Sequence, residues 1–428
     1  PAPKTPGTSS GDYLRHSTAR RLDRFEEPRM ARSKSPGLLG RLFGGKKKRR
    51  TSKKGNLRRY VWMFLAFVTG SGGIAGASEY DVLRGLWNII RDRLQQQNVA
   101  PADGPAADTG AIRVYFTHPD QPPQDGDIAH AVAGYVDGTK ETLDVCAFEL
   151  DNRVIIDAIV RAVRRGVKVR FVTETDYLGA VGVRDLKAVG VPVVDDKRDG
   201  ALMHNKFMIL DRKAVWTGSM NFTENCAYHN NNHGVYIEDP KLVENYSTKF
   251  GWMFDQHKFG PAPSKFDRIP HPVLNLSDGT QLENYFAPHD RPATKVMDTL
   301  KLARKSIHFL AFSFTHDGIG QTMLAKAANG VEVSGVFEKS QTASGHSEYF
   351  KMKDAGLAVF LDGNPRNMHH KVIVIDGEIV ICGSFNFSDS ADRSNDENLL
   401  IIYNRPVAAK FEEEFQRVVQ VAKQVGSK

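Results

Sequence analysis

Apolar and polar positions fall twice into the same succession along this chain. The segment Val114-Tyr115-Phe116, shortly before Pro119, returns as Asn284-Tyr285-Phe286 before Pro288, and Ala147-Phe148 returns as Ala311-Phe312, an offset of 164. In the first copy Ile155, Ala158, Ile159 and Ala162 recur at helical spacing, Gly166 ends the stripe, and residues 167–172 read as a strand. In the second, Ile319, Met323 and Ala327 form the stripe, Gly330 ends it, and residues 331–337 read as the strand. Strands alternating with helices predict an α/β fold, here two repeated α/β/α layered halves joined as a pseudo-dimer. The halves are expected at 112–258 and 282–428, with a Pro-rich linker at 259–281.

The pattern is different upstream. Residues 1–59 lack the apolar surface to fold alone and read as a basic disordered tail. Residues 60–78 carry no charge, but only 60–68 are strongly apolar, which suits either a retained anchor or a cleaved signal segment ending near Ala75-Gly76-Ala77. The 59 residues before it are too long for an ordinary signal, and a start at Met30 would shorten them to 30. Within 79–111, Val82, Leu83, Leu86, Trp87, Ile90 and Leu94 form an amphipathic helix, which either packs on the body or lies at a membrane surface; a linker follows.

Charge sharpens this division. The chain's net charge of +8 resolves into 18 Lys/Arg against 4 Asp/Glu in residues 1–59, a net of +14, and 40 against 46 in the remainder, a net of −6. The basicity therefore belongs to the tail, beside the apolar segment, and predicts association with an anionic membrane, with the body on the extracytoplasmic side. Three cysteines, Cys146, Cys226 and Cys382, at unrelated spacings exclude a disulfide scaffold and a cysteine-based zinc site.

The repeat culminates in two matched segments. His204-Asn205-Lys206, Asp211 and Gly218-Ser219-Met220-Asn221 recur, with the same internal spacing, as His369-His370-Lys371, Asp376 and Gly383-Ser384-Phe385-Asn386. A two-residue hairpin loop, Arg212-Lys213 or Gly377-Glu378, would set Lys206 opposite Ser219 and His204 opposite Asn221, and likewise Lys371 opposite Ser384 and His369 opposite Asn386. One sheet face would then carry an imidazole, an ammonium, a hydroxyl and an amide, groups suited to a phosphate oxyanion. Asp211 and Asp376 point away in this register and read as turn residues. No ring of carboxylates is available for a metal, so a mechanism without metal or cofactor is expected.

These motifs resemble the paired H-x-K-x(4)-D-x(6)-G-S-x-N segments of the phospholipase D superfamily, and the likeness covers about residues 112–428. The resemblance implies a single pocket lined by both motifs. His204 would be the nucleophile that forms a phosphohistidine and His369 the general acid and base; Lys206, Lys371, Asn221 and Asn386 would bind phosphate oxygens. Ser219, Ser384 and Asn232 are expected to contact substrate, and Gly218 and Gly383 to be structural. The family places a carboxylate after the motif to orient its histidine. At one and the same distance past the two motif histidines, Glu397 falls to His369 and Asn232 to His204. The implied substrate is a phospholipid headgroup phosphodiester or, since Gly-Ser-x-Asn-Phe-Thr/Ser looks like the nuclease branch, DNA or RNA. A binding module without turnover is a third class, and no obligate protein partner is implied. His229 and His233 read as surface residues, His370 as a neighbour on the opposite strand face, and Phe148 and Phe312 as core.

Overall fold

The computed structural model describes residues 111–119, 127–261, 268–343 and 345–426. The basic tail, the anchor or signal segment, the amphipathic helix and all but the last residue of its linker lie outside them. Among the described residues no helix is long and apolar enough to cross a membrane.

The first half runs β1 (Ile112–Phe116), α1 (Ile128–Gly138), β2 (Thr142–Ala147), α2 (Arg153–Arg164), β3 (Lys168–Thr173), α3 (Val181–Ala188), β4 (Val193–Asp195), β5 (Lys206–Leu210), β6 (Ala214–Gly218), α4 (Glu224–Tyr228), β7 (His233–Ile237) and α5 (Pro240–Phe254). The second runs β8 (Val273–Asn275), β9 (Gln281–Ala287), α6 (Pro292–Leu300), β10 (Ser306–Ala311), α7 (Asp317–Ala328), β11 (Glu332–Phe337), α8 (Glu348–Asp354), β12 (Ala358–Leu361), β13 (Lys371–Ile375), β14 (Ile379–Gly383), α9 (Asp389–Arg393), β15 (Glu397–Tyr403) and α10 (Arg405–Gly426). The sheets have matching orders, β1-β7-β6-β5-β2-β3-β4 and β8-β9-β15-β14-β13-β10-β11-β12. The additional strand β8 lies inside the stretch read as linker, so the second sheet begins before residue 282.

The helical stripes explain the layering. Ile155, Ile156, Ala158, Ile159 and Ala162 of α2 are buried against the outer face of the first sheet. Ile319 and Met323 of α7 do the same on the second. The inner faces are apolar as well, because the strands are buried on both sides. Between them lie α5 and α10: Tyr246 and Phe250 from one, Phe411 and Phe415 from the other, share one cluster with Phe207, Ile209, Val372 and Val374. The two halves thus hold a common core, which fixes their relative placement and brings the two motif-bearing strand ends together.

The motif hairpins differ from the expected register by one residue. Leu210 pairs with Ala214 and Phe207 with Thr217, and Ile375 pairs with Ile379, so both loops have three residues. Lys206 consequently falls beside Gly218, not Ser219. The reason is the turn aspartate: Asp211 and Arg212, like Asp376 and Gly377, take left-handed backbone conformations. This aims the Asp211 carboxylate at the N–H groups of Lys140, Glu141 and Thr142, at 2.7–3.1 Å. Asp376 accepts from Arg304, Lys305 and Ser306 in the same way. Burial opposes ionisation of Asp211, but these backbone donors hold its carboxyl below the usual range. Each aspartate ties its hairpin to the start of the neighbouring strand, β2 or β10, at the opposite end of β5 or β13 from the motif histidine.

Candidate active site

His204 and His369 immediately precede β5 and β13, and each is pinned by the opposite half. The N–H of His204 donates to Asp396 O at 3.0 Å, and that of His369 donates to Asn231 O at 2.9 Å. Parallel bridges Met203–Asp396 and Asn231–Met368 flank these bonds. Such crossing brings the residues after Asp396 and Asn231 to the histidine of the other half.

The orienting pairs are therefore the reverse of those expected from spacing. Glu397 accepts from Nδ1 of His204, with oxygens at 2.8 and 2.9 Å, whereas Asn232 Oδ1 lies 2.9 Å from Nδ1 of His369. Spacing along the chain selects the right residues but not the right partners, because the contact is made between halves. In both cases Nδ1 is engaged as donor, which leaves Nε2 with its lone pair. Asn232 is locked in this sense by donating from Nδ2 to Cys226 O at 2.9 Å.

Ser219, Ser384 and Asn232, expected to contact substrate, are fully buried and hydrogen-bonded within the orienting network. Ser219 Oγ donates to Asn232 Oδ1 at 2.9 Å, and Ser384 Oγ donates to Glu397 Oε2 at 2.6 Å. Both hydroxyls also accept a backbone N–H, from His233 and Asn398 respectively. They set the orienting residues, which set the imidazoles. Gly218 and Gly383 make this possible. Their φ values of 153° and 143° suit glycine, and a Cβ would strike the carbonyl of His233 or Asn398.

The lysines complete each half-site. Lys206 and Lys371 are buried, their Nζ atoms donating to the carbonyls of His204 and His369. Phe148 and Phe312, expected in the core, instead line the site: each ring stands edge-on to its histidine, with centroids 4.8 and 4.6 Å apart, and under its lysine, 4.8 and 4.6 Å from Nζ. Their position directly after β2 and β10 was the available signal, since those strand ends pair with Lys206 and Lys371. Oδ1 of Asn221 and of Asn386 is buried without a hydrogen-bond partner. Each motif amide thus keeps one buried acceptor without a partner, and its Nδ2 group is the donor it could offer to an oxyanion.

Burial dominates the electrostatics. It lowers both His204 (6% exposed) and His369 (7% exposed) well below the usual imidazole range, and Lys206 and Lys371 reinforce this. Burial also draws the Lys206 ammonium down to about 8, against the pull of Glu397, and lowers Lys371 strongly. The Glu397 carboxyl is pushed up to about 8 by burial, against Lys206 and Ser384. Below about pH 8 an extra proton thus resides on the Glu397–His204 pair and removes the free Nε2 lone pair. Above about pH 8 Lys206 loses its charge. The dependence of kcat/KM on pH is expected to be a bell centred near 8, with the acid limb from the raised carboxyl and the alkaline limb from the lowered ammonium. A flat profile from pH 6 to 10 would contradict it.

A fold of two fused half-sites, each with His, Lys and Asn, defines a class of proteins, and the comparisons identify it. The profile of a family described as "Cardiolipin synthase, PLD-like domain" matches residues 134–254 and 296–419. The chain belongs to this family within the phospholipase D superfamily. It is 34% identical over 178 residues to a phospholipase D of Rickettsia felis, covering 42% of this chain and 84% of that one. It is 31% identical to mitochondrial cardiolipin hydrolases of Chlamydomonas reinhardtii over 126 residues and Xenopus tropicalis over 134, covering 29% and 31% of this chain. The chain spans 56% and 64% of the length of those two relatives. Among solved structures, phosphatidylserine synthase of Haemophilus influenzae aligns with a TM-score of 0.55 at 13% identity, covering 77% of this chain and 90% of that one; it shares the fold.

Proposed function

We propose that this chain hydrolyses the headgroup phosphodiester of a phospholipid through a phosphohistidine on His204. The carrying observation is the pair of imidazoles from opposite halves, both with Nδ1 engaged, of which only His204 has a carboxylate behind it. Nε2 of His204 attacks phosphorus as the P–O bond to the leaving group breaks. Glu397 stabilises the positive charge that develops on the ring. His369, raised toward its protonated form by the bound phosphodiester anion, gives its proton to the departing oxygen. Water then attacks the phosphohistidine, losing a proton to His369 and releasing His204. Lys206, Lys371, Asn221 and Asn386 hold the non-bridging oxygens throughout.

A lipid substrate is favoured by the names of the relatives and by the net charge of −6 on residues 60–428, which disfavours a polyanion at long range. The Asn-Phe-Thr/Ser sequence that suggests a nuclease has a sufficient structural explanation. Phe222 and Phe387 are buried in the outer cores, and Thr223 and Ser388 cap α4 and α9. Residues 60–78 and the basic tail would hold the body at an anionic membrane, on its extracytoplasmic side.

The test offers the full chain vesicles of phosphatidylcholine or cardiolipin and, separately, single-stranded DNA and RNA, with EDTA present. Headgroup release is expected, changing little between about 50 and 200 mM salt. Cleavage of nucleic acid alone, falling steeply with salt, would overturn the lipid assignment. Lipid binding that persists without turnover, unchanged in H204A and H369A, would make the protein a binding module.

A further inference from the structure

Behind the orienting pairs lies a second contact between the halves, and here the pseudo-symmetry fails. Next to Glu397 and His204, Asn398 donates from Nδ2 to Asn205 Oδ1 at 2.9 Å. The positions equivalent to Asn398 and Asn205 in the other copy of the repeat are His233 and His370. Both are fully buried, with Nδ1 atoms 3.1 Å apart and rings parallel within 8°. His233 was expected at the surface, yet it is packed edge-on to Phe411, as His370 is to Phe116.

The hydrogen-bond partners fix how this pair is protonated. His370 Nε2 lies 2.9 Å from Glu414 Oε1, and Arg417 binds both oxygens of Glu414 at 2.8 Å. Burial opposes ionisation of Glu414, but His370 and Arg417 hold its carboxyl below the usual range. The carboxylate accepts, so His370 donates from Nε2 and its Nδ1 accepts from Nδ1–H of His233. His233 Nε2 is then left as a bare acceptor, in keeping with its lack of a partner. The helix position of Glu414 corresponds to Lys249 in the first half, which instead binds Asp396 at 2.6 Å. The two halves thus place their buried ion pairs differently: Glu414 with Arg417 beside His370, and Asp396 with Lys249 and Arg198 beside His204.

We infer that His233 and His370 are positioning residues for His369: their hydrogen bond is the rung adjacent to the one between Asn232 and His369, and it holds that weaker, uncharged pair in register. The two bonds join consecutive residues of the same two segments, those entering β7 and β13. His233 also grips Ser219 twice, donating its N–H to Ser219 Oγ and accepting from Ser219 N at 3.1 Å, and Ser219 in turn holds Asn232. His204 gains its orientation from two oxygens of an anion. His369 has a single amide oxygen, so it depends more on the placement of the strands that carry both partners.

The inference rests on the proposed role of His369 as general acid, and two readouts separate the two claims. In H233L the volume is kept and the donor lost; in H233N, which restores the residue type found at position 398, an amide N–H stands where Nδ1–H was. Ring ¹H–¹⁵N spectra of H233L are expected to show His369 as a mixture of tautomers with His204 unchanged, and those of H233N to show the wild-type Nδ1–H form. The ratio of kcat/KM for an alkyl diester to that for bis(p-nitrophenyl) phosphate, whose leaving group needs no acid, should fall by about tenfold or more in H233L and recover in H233N. An unaltered His369 spectrum in H233L overturns the inference, as does an equal loss on both substrates that H233N fails to rescue. Altered His369 tautomers with an unchanged substrate ratio would support the positioning and refute the acid role.

Discussion

Replacing His204 by Ala is expected to lower kcat/KM by about 10⁴ or more and to abolish any phosphoenzyme, whereas His369→Ala leaves a phosphoenzyme that can be trapped. The difference follows from what each step asks of each ring. Attack on phosphorus needs the Nε2 lone pair of His204 and a counter-charge behind it, and Glu397 supplies that charge at 2.8 Å. With a p-nitrophenolate leaving group the first step needs no proton from His369, so H369A still reaches the intermediate. Hydrolysis of that intermediate does need a base, and without His369 the phosphoryl group stays on His204. Alkaline quenching preserves phosphohistidine, and peptide mass spectrometry then locates it. A phosphoryl group on His369 in wild type or in H204A would reverse the assignment, and the absence of any covalent species with rapid turnover would replace it with direct attack by water.

The parts legible in the sequence are those that depend on local period. The stripe in α2 and the alternation of strands and helices follow from side-chain spacing along one element. The matched motif positions identify a repeated site because chemistry recurs at one offset. What the sequence conceals comes from the meeting of the halves. Asn232 and Glu397 each follow a histidine at the same spacing, but main-chain bridges at Asn231 and Asp396 carry each of them to the other half's ring. The hairpin register is hidden for a different reason. Asp376-Gly377 suggests a two-residue turn, and a longer one is preferred because it lets the aspartate collect three backbone N–H groups across the sheet. Phe148 and Phe312 look like core in any hydropathy reading; only their placement one residue past a strand that pairs with a motif lysine shows otherwise. His233 is concealed most completely, since a buried histidine needs a partner from the other half.

Glu397→Gln is expected to reduce kcat/KM by about 10²–10⁴ while leaving the chain folded and, above pH 8, more stable than wild type. Glu397 accepts from Nδ1 of His204 and from Oγ of Ser384, at 2.8 and 2.6 Å. A glutamine has one accepting oxygen, and its amide N–H₂ must face one of those donors. The strain is relieved when His204 moves its proton to Nε2, which removes the nucleophile. Stability moves the other way. Burial pushes the Glu397 carboxyl up to about 8 from its ordinary 4.5, so between those values the folded chain binds a proton that the unfolded chain does not. Folding therefore weakens as pH rises through that window, reaching its full penalty above it, and a neutral side chain removes the slope. Thermal unfolding of wild type and E397Q at pH 5 and pH 9, alongside kcat/KM at each protein's optimum, separates the two effects. Equal loss of Tm at both pH values would make Glu397 a packing residue. A fall in activity accompanied by a gain in alkaline stability would mark a buried charge retained for its action on His204.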